Sequence, residues 1–223
     1  MSVAPRITPE LIADLPKNGP TDPIEFYRRP LVGWLYRERI NRGFGLLPAQ
    51  RFERALEIGY GAGAVQLALA GSVGELHGLD LDADPVPVRS LLSSRGHSAD
   101  LRQGSVLELP YQDGYFDLAV SFSVFEHLHE FKKALREVGR VLKPGGLFLL
   151  GMPSVNKLME AGFLAIGFKG INDHHVTTPQ QVSASFEECG YRLRSARYLD
   201  FPADAPLGLR LYYNWLLEKP HAH

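Results

Sequence analysis

Apolar runs alternate with segments of helical periodicity along most of the chain. The run 115–121 is rich in apolar residues, as expected for a strand that is buried on both faces of a sheet. Phe131, Leu135, Val138 and Leu142 follow at spacings of four, three and four residues, which places them on one face of a helix. Repetition of this strand–helix rhythm predicts an α/β fold, a doubly wound parallel sheet with helices on both faces.

The other predicted elements are apolar or periodic segments that begin or end at glycine and proline. Further strands are predicted over 55–58, 75–80, 99–103, 147–152, 191–199 and 209–217. Further helices are predicted over 24–44, 65–70, 84–95 and 179–189. Pro30 is expected to break or begin the first helix, and Thr178 to open the last one with a capping box. The last two strands are expected to pair antiparallel.

The N-terminal region differs from this pattern. Five prolines within residues 1–23 argue against a long regular element, so we expect a tail or an arm draped over the body. Segment 24–44 combines aromatic residues with arginines. Three interpretations stay open: an amphipathic helix packed on the sheet, a lid whose Tyr27 and Trp34 wall a substrate pocket, or a basic contact to an anionic substrate or membrane surface.

A second unusual segment, residues 153–176, is rich in glycine and large apolar side chains. We expect it to be a short helix and loop inserted after the fifth strand, with Phe163 and Phe168 as further substrate contacts. The predicted organisation is thus an N-terminal arm and lid helix over 1–45 and a main domain over 46–220, with the insert covering the ligand site.

A glycine-rich turn joins the first predicted strand to its helix. Gly59, Gly61 and Gly63 alternate there, and glycine suits positions that need a positive φ or a close ligand approach. The N–H groups at the start of the following helix would face an anionic group. Gly59, Gly61 and Ala64 also fit a dinucleotide-binding fingerprint, and a tight turn without any ligand is the simpler alternative.

An acidic residue follows at the end of the second predicted strand. Asp80 lies 21 residues after Gly59, where a carboxylate can accept hydrogen bonds from both hydroxyls of an adenosine ribose. Nicotinamide cofactors and S-adenosylmethionine share that nucleoside, so Asp80 does not distinguish them. Gly104 and Ser121 end two further strands, and parallel strands bring such ends to one edge of the sheet.

Composition limits the classes of partner. The 223 residues carry a net charge of −1 (24 − 25), which gives no general attraction to nucleic acid or to an anionic membrane. A single cysteine excludes an internal disulfide and suits a reducing compartment. No apolar run approaches the roughly 20 residues that span a bilayer. We therefore expect a cytoplasmic protein with a small-molecule substrate, no nucleic-acid partner and no stable membrane insertion, and leave a homodimer open.

Four motifs, with a connecting segment at 121–128, occur in a characteristic order. They are Leu56-Glu57-Ile58-Gly59-Tyr60-Gly61-Ala62-Gly63, Gly78-Leu79-Asp80-Leu81-Asp82, the segment 109–118 with its Leu-Pro and Asp-Gly-Tyr-Phe-Asp, and Leu142-Lys143-Pro144-Gly145-Gly146-Leu147. In these the chain resembles the class I S-adenosylmethionine-dependent methyltransferases, in their small-molecule branch, over about residues 50–200. The last two motifs are not shared with nicotinamide enzymes.

The resemblance implies a Rossmann-like seven-stranded sheet of order 3-2-1-4-5-7-6, with strand 7 antiparallel, and S-adenosylmethionine as cofactor. It places the glycines near the methionyl part, Glu57 near its ammonium group, Asp80 on the ribose and Leu81 on adenine. The cofactor-binding residues it implies are Glu57, Gly59, Tyr60, Gly61, Gly63, Asp80, Leu81, Gly104, Ser105, Val106, Ser121 and Phe122. Ser105 departs from the family, which often has an acidic residue there, and Glu57 could instead pair with an arginine.

The predicted chemistry is an in-line displacement, because the cofactor methyl is carried on a positively charged sulfur. Positioning of the acceptor would be the main task of the protein. An oxygen or nitrogen acceptor can need a base, and His127, His174 and His175 are the candidates, each with a purely structural alternative. Asp173, His174 and His175 could form a ligand cluster, but we expect no metal.

These observations predict a methyltransferase that acts on a small organic acceptor with an apolar part. A nicotinamide-dependent oxidoreductase using the same glycine turn is one alternative. A catalytically inactive module that retains the cofactor pocket is the other.

Overall fold

A computed structural model describes residues 5–19, 22–154, 175–201 and 209–221. Most of the predicted insert, including Phe163, Phe168 and His174, lies outside the described residues. In the part of the chain that the structure describes, no helix has the length and apolar character needed to cross a membrane.

Seven strands of the described residues form one sheet of order β3-β2-β1-β4-β5-β7-β6. The strands are β1 Phe52–Ile58, β2 Val73–Asp80, β3 Asp100–Gln103, β4 Phe116–Phe122, β5 Leu142–Pro153, β6 Arg192–Phe201 and β7 Leu209–Glu218. Strands β1 to β5 pair parallel, whereas β7 pairs antiparallel with both β5 and β6. The predicted class, strand order and antiparallel strand 7 are confirmed.

Six α-helices among the described residues surround the sheet: α1 Ile24–Tyr27, α2 Pro30–Phe44, α3 Ala64–Leu69, α4 Pro85–Ser94, α5 Phe131–Val141 and α6 Pro179–Ser183. Arg29 has an extended backbone because proline disfavours helical geometry in the residue before it, so α2 begins at Pro30 as predicted. The capping box at Thr178 is also present, with Gln181 as its partner.

Two element boundaries differ from the prediction by five residues or more. Helix α6 ends at Ser183 and turns follow it, although Val182, Phe186 and Cys189 are buried as the helical pattern predicted. Strand β5 begins at Leu142 rather than at residue 147. The reason is that backbone bonds join Gly145 N to Lys219 O (2.7 Å) and Lys219 N to Gly146 O (2.9 Å), which tie the Lys-Pro-Gly-Gly segment to the end of β7.

The N-terminal arm, residues 5–19, is draped over the body. Ile7, Ile12 and Leu15 are buried in the core on one side of the sheet. Asn41 of α2 holds Ile7 by accepting its N–H (2.8 Å) and donating to its carbonyl (3.0 Å). Burial of these side chains explains why a proline-rich stretch can have a fixed course without regular structure.

Helix α2 packs over the antiparallel part of the sheet. The Asn214 side chain of β7 donates to the Arg39 carbonyl (3.0 Å), and Arg42 donates to the Tyr198 carbonyl on β6 (2.9 Å). This agrees with the interpretation of a helix packed on the sheet, and it places one side of α2 above the strand ends.

Candidate active site

A cavity of about 1020 Å³ lies at the carboxyl ends of β1, β2 and β4. Its lining includes most of the cofactor-binding residues that the sequence predicted: Glu57, Gly59, Tyr60, Gly61, Asp80, Leu81, Gly104, Ser105, Val106 and Phe122. Tyr27, His127 and His175 line the same cavity. The fold therefore gathers residues from distant parts of the chain at the sheet edge where ligands of doubly wound folds bind.

Of the predicted site residues that the structure describes, three do not line the cavity. Gly63 has a φ of 87°, and a Cβ there would approach Val88 Cγ1 to 2.6 Å, so it permits close packing of α3 against α4. Ser121 is fully buried and its hydroxyl donates to the Ile58 carbonyl (3.2 Å), because successive strand residues face opposite sides and Phe122 takes the cavity side. Trp34 is 42% exposed and lies outside the cavity.

The glycine turn has the backbone that its sequence predicted. Gly59 has a φ of 80° and Gly61 a φ of 46°, both in the left-handed region that favours glycine. A Cβ on Gly59 would lie 2.4 Å from Val124 Cγ2, so the close approach of the segment after β4 also requires glycine. The turn thus presents main chain rather than side chains to the cavity.

Asp80 is oriented by the backbone of its neighbours. One carboxylate oxygen accepts the Gly61 N–H (2.9 Å), and the other accepts the N–H groups of Asp82 (2.9 Å) and Ala83 (3.0 Å). Its position links the end of β2 to the glycine turn after β1. The carboxylate is therefore fixed in the cavity wall where a ribose would be bound.

Glu57 is a buried acid in the same wall. It is 3% exposed, and its Oε2 has no hydrogen-bond partner among the described residues. Burial raises the pKa of Glu57 well above its usual range. Within the described chain no arginine or lysine forms an ion pair with it, so the alternative of a structural pair with an arginine is not observed. A cationic group of a ligand would satisfy the unpaired oxygen.

The opposite side of the cavity contains polar residues that the sequence analysis did not select: Arg39, Ser123, Glu126 and Tyr212. Ser123 has a φ of 59°, the one positive value at a non-glycine position in the described residues. Its hydroxyl lies 2.9 Å from the Tyr212 hydroxyl. An uncommon backbone conformation held by tertiary contacts is typical of functional sites.

Glu126 is the second buried acid of the cavity. It is 1% exposed, its Oε2 has no partner among the described residues, and burial raises the pKa of its carboxyl to about 8. The Val176 and Thr177 N–H groups donate to the Glu126 carbonyl (2.8 and 3.1 Å), and this fixes the neighbouring His175. The His127 and His175 rings lie 5.2 Å apart. Glu126 is thus a third candidate base beside His127 and His175, the two predicted candidates that line the cavity.

These three side chains place their potential ligand atoms within 4.8 Å of one another. Ligands that share a tetrahedral zinc ion, each at about 2.1 Å from it, lie roughly 3.4 Å apart. A limit of 4.8 Å includes this spacing, so the cluster suits either a metal ion or hydrogen bonding to an acceptor. The expected absence of a metal stays a prediction.

The wall formed by Glu57, the glycine turn and Asp80 fits a nucleoside with an amino-acid tail. The unpaired Glu57 oxygen suits an ammonium group, Asp80 suits a ribose, and Leu81, 64% exposed, offers an apolar surface to a base. Ser105 faces the cavity and its Oγ accepts the Leu107 N–H (3.2 Å), so the hydroxyl proton stays available to a ligand.

Sequence comparisons find similarity over the central part of the chain. Residues 56–150 match a family described as a methyltransferase domain. An uncharacterized methyltransferase of Bacillus subtilis, YcgJ, is 38% identical over 99 residues, which is 44% of this chain and 39% of that protein. A demethylmenaquinone methyltransferase of Staphylococcus aureus is 29% identical over 116 residues, 51% of this chain and 47% of that protein. In these alignments the chain spans less than half of each relative's length.

Structural comparisons extend over most of the chain. The crystal structure of Bacillus subtilis YcgJ gives a TM-score of 0.60 at 20% identity, covering 86% of this chain and 99% of that one. The [4+2]-cyclase SpnF gives a TM-score of 0.67 at 16% identity, covering 92% and 87%. At these identities the structures show a shared fold. The 3-2-1-4-5-7-6 sheet of this chain is the fold that it shares with these structures, and residues 56–150 within it are similar to the methyltransferase domain family.

Proposed function

We propose that this protein transfers a methyl group from S-adenosylmethionine to a small organic acceptor with an apolar part. The observation that carries this proposal is a cavity with two unlike walls. One wall has Glu57, the glycine turn and Asp80, and the other has Ser123, Glu126 and Tyr212. A volume of about 1020 Å³ accommodates two small molecules side by side.

The cofactor would supply a methyl group on a positively charged sulfur, which is already an activated leaving group. Glu57 would hold the ammonium group and Asp80 the ribose, with the glycine turn between them. The remaining task of the chain is to hold the acceptor in line and to keep water out, and such positioning can supply roughly 7–11 kcal/mol of the barrier.

A hydroxyl or amine acceptor must also lose a proton. Glu126, His127 and His175 line the acceptor side and are the groups available to take it. Glu126 is a candidate through its ionised fraction, because a carboxyl whose pKa is about 8 is only partly ionised near neutral pH but is then a stronger base than an ordinary carboxylate.

The region 1–45 contributes to the site as a cover. Asn18 of the arm and Tyr27, Tyr36 and Arg39 of α1 and α2 all line the cavity. This supports the division into an N-terminal arm and lid helix over 1–45 and a main domain over 46–220. Helix α2 is then both the helix packed on the sheet and the lid over the cavity.

The first test is cofactor binding by isothermal titration calorimetry with S-adenosylhomocysteine. Asp80→Ala should weaken binding at least tenfold, because the turn loses its anchor and the ribose loses its acceptor. Asp82→Ala is the matched control, since it removes an exposed neighbouring carboxylate, and it should change the Kd less than threefold. Absence of wild-type binding at millimolar ligand would exclude the proposal, and tighter binding of NADH would favour the oxidoreductase.

A second use of the same cavity has to be separated from methyl transfer. SpnF shares the fold and is described as a [4+2]-cyclase, so the fold alone does not determine the reaction. Incubation with methyl-labelled S-adenosylmethionine and a panel of hydroxylated aromatic acceptors, quinone precursors included, distinguishes the two. Labelled product supports methyl transfer, whereas cofactor binding without label transfer supports a binding role or another reaction.

A further inference from the structure

Arg39 projects into the acceptor side of the cavity between aromatic rings. Its guanidinium carbon lies 4.4 Å from the centroid of the Tyr36 ring, 5.2 Å from that of Tyr212 and 5.7 Å from that of Tyr27. It also donates to the Tyr27 hydroxyl (3.2 Å), and its own carbonyl accepts from Asn214. Tyr27 of α1 and Asn214 of β7 therefore hold the side chain and the backbone of this residue, and the charged group has a defined place in the wall.

The positive charge of Arg39 has no carboxylate partner in the described chain. None of the ion pairs found there includes Arg39, and its Nε is buried without a hydrogen-bond partner. Glu126 is close enough for the Arg39 charge to lower its pKa, but burial outweighs this effect and that pKa is about 8. Near neutral pH Glu126 is mostly uncharged, so the wall carries a net positive charge.

A charge held away from water is costly unless a counter-ion joins it. Neutral tyrosine rings offset part of that cost through cation–π contacts, each worth about 0.5–2 kcal/mol, but they do not neutralise the charge. The remaining donors of a guanidinium suit the two oxygens of a carboxylate.

The position of Arg39 indicates which ligand brings the anion. Glu57 and Asp80 lie on β1 and β2, whereas Arg39 contacts Tyr212 on β7, two strands beyond β4 in the sheet order. Tyr212 in turn meets Ser123 just after β4. Arg39 is therefore on the acceptor side of the cavity.

We propose that the acceptor of this enzyme carries an anionic group, a carboxylate above all, which Arg39 binds within the cage formed by Tyr27, Tyr36 and Tyr212. This inference rests on the proposed methyl transfer, because it names the class of molecule that shares the cavity with the cofactor. The expected acceptors are aromatic or apolar acids with the methylated atom distant from the carboxylate.

The test measures binding to the protein loaded with S-adenosylhomocysteine. Three probe pairs are compared by calorimetry: acetate with acetamide, benzoate with benzamide, and 4-hydroxybenzoate with 4-hydroxybenzamide. At least one carboxylate should bind ten times more tightly than its amide, and Arg39→Met should abolish that preference. Arg42→Met is the matched control, since Arg42 pairs with Glu38 outside the cavity, and it should keep the preference.

A second set of measurements distinguishes a carboxylate on the acceptor from the carboxylate of the cofactor's amino-acid tail. S-Adenosylhomocysteine carries an amino-acid carboxylate, whereas 5′-methylthioadenosine has the same nucleoside without that tail. Arg39→Met should change the affinity of both less than threefold, and this result also shows that the variant is folded.

Selective loss of S-adenosylhomocysteine affinity would assign Arg39 to the cofactor tail and overturn the inference. Equal binding of acids and amides up to 10 mM, or an acid preference that survives in Arg39→Met, would also overturn it. Failure of the proposed function is a different result, because the wild-type protein would then not bind S-adenosylhomocysteine at all.

Discussion

The pKa values of the buried acids in this cavity depend more on burial than on neighbouring groups. Glu126 illustrates this, because desolvation raises its pKa to about 8 despite the opposing effects of Ser123 and Arg39. The same burial leaves its Oε2 without a partner among the described residues. A carboxyl in this state keeps a proton in the folded protein that it gives up in the unfolded chain.

This difference makes folding stability depend on pH. Between the usual glutamate pKa of 4.5 and the folded value of about 8, the native state holds one more proton than the unfolded state. The free energy of unfolding should therefore decrease as pH rises through this range, by up to about 1.4 kcal/mol per pH unit from Glu126. Urea unfolding at pH 5, 6, 7 and 8 should show a shallower slope for Glu126→Gln than for wild type.

Glu130→Gln is the control for that series, because Glu130 is exposed and belongs to the same segment. Its slope should match that of the wild-type protein. Parallel slopes for wild type and Glu126→Gln would show that Glu126 ionises normally, and would remove it from the candidate proton acceptors.

The central element is the turn from β1 to α3, which meets the segment after β4. Gly59 lies where the turn and this segment meet, and two separate constraints require glycine at this position. Its φ is 80°, and a side chain there would place its Cβ only 2.4 Å from Val124 Cγ2. The two constraints are physically different. One is local backbone strain, and the other is a tertiary contact that a second substitution can relieve.

Gly59→Ala should therefore destabilise the protein more in the wild-type background than in a Val124→Ala background. Strain at a positive φ costs about 1–2 kcal/mol and should remain in both backgrounds. The contact with Val124 should add at least another ~1 kcal/mol only where valine is present. Urea unfolding of the four proteins in this double-mutant cycle measures both effects. Equal costs in the two backgrounds would contradict the contact.

Elements of this kind were predictable from sequence, but the full site was not. The glycine turn and Asp80 follow from local motifs, since each depends on residues close together in the chain. The strand order was predicted only through the family resemblance that these motifs carry. Tyr212 and Arg39 are far apart in sequence, and only the insertion of β7 beside β5 brings them together. Which of the two side chains, Ser121 or Phe122, points into the cavity depends on strand register, and a sequence motif does not determine that register.

At the scale of the whole molecule, the N-terminal arm connects the two walls of the cavity. Asn18 donates to the carbonyls of Gly61 (2.9 Å) and Asp84 (2.8 Å), and accepts the Asp84 N–H (3.1 Å). Asn41 anchors the other end of the arm through Ile7. The first anchor lies on the glycine turn, and the second lies on α2, away from it.

The two anchors should have separable effects. Asn18→Ala removes three hydrogen bonds next to the glycine turn, and net contributions of about 1 kcal/mol each predict a loss of S-adenosylhomocysteine affinity of fivefold or more. Asn41→Ala should lower the free energy of unfolding by a similar amount but change the affinity less than twofold. Calorimetry and urea unfolding on both variants give the comparison. An identical affinity loss in the two variants would show that the arm acts only through overall stability.

The hydrogen bond from Asn18 to the Gly61 carbonyl links docking of the arm to nucleoside binding, and this link operates in both directions. If a docked arm favours nucleoside binding, then by thermodynamic reciprocity a bound nucleoside favours the docked arm by the same free energy. Residues 7–18 would then become harder for a protease to reach when product is bound. Slow departure of product and protection of the N-terminal peptide bonds would be two expressions of a single equilibrium.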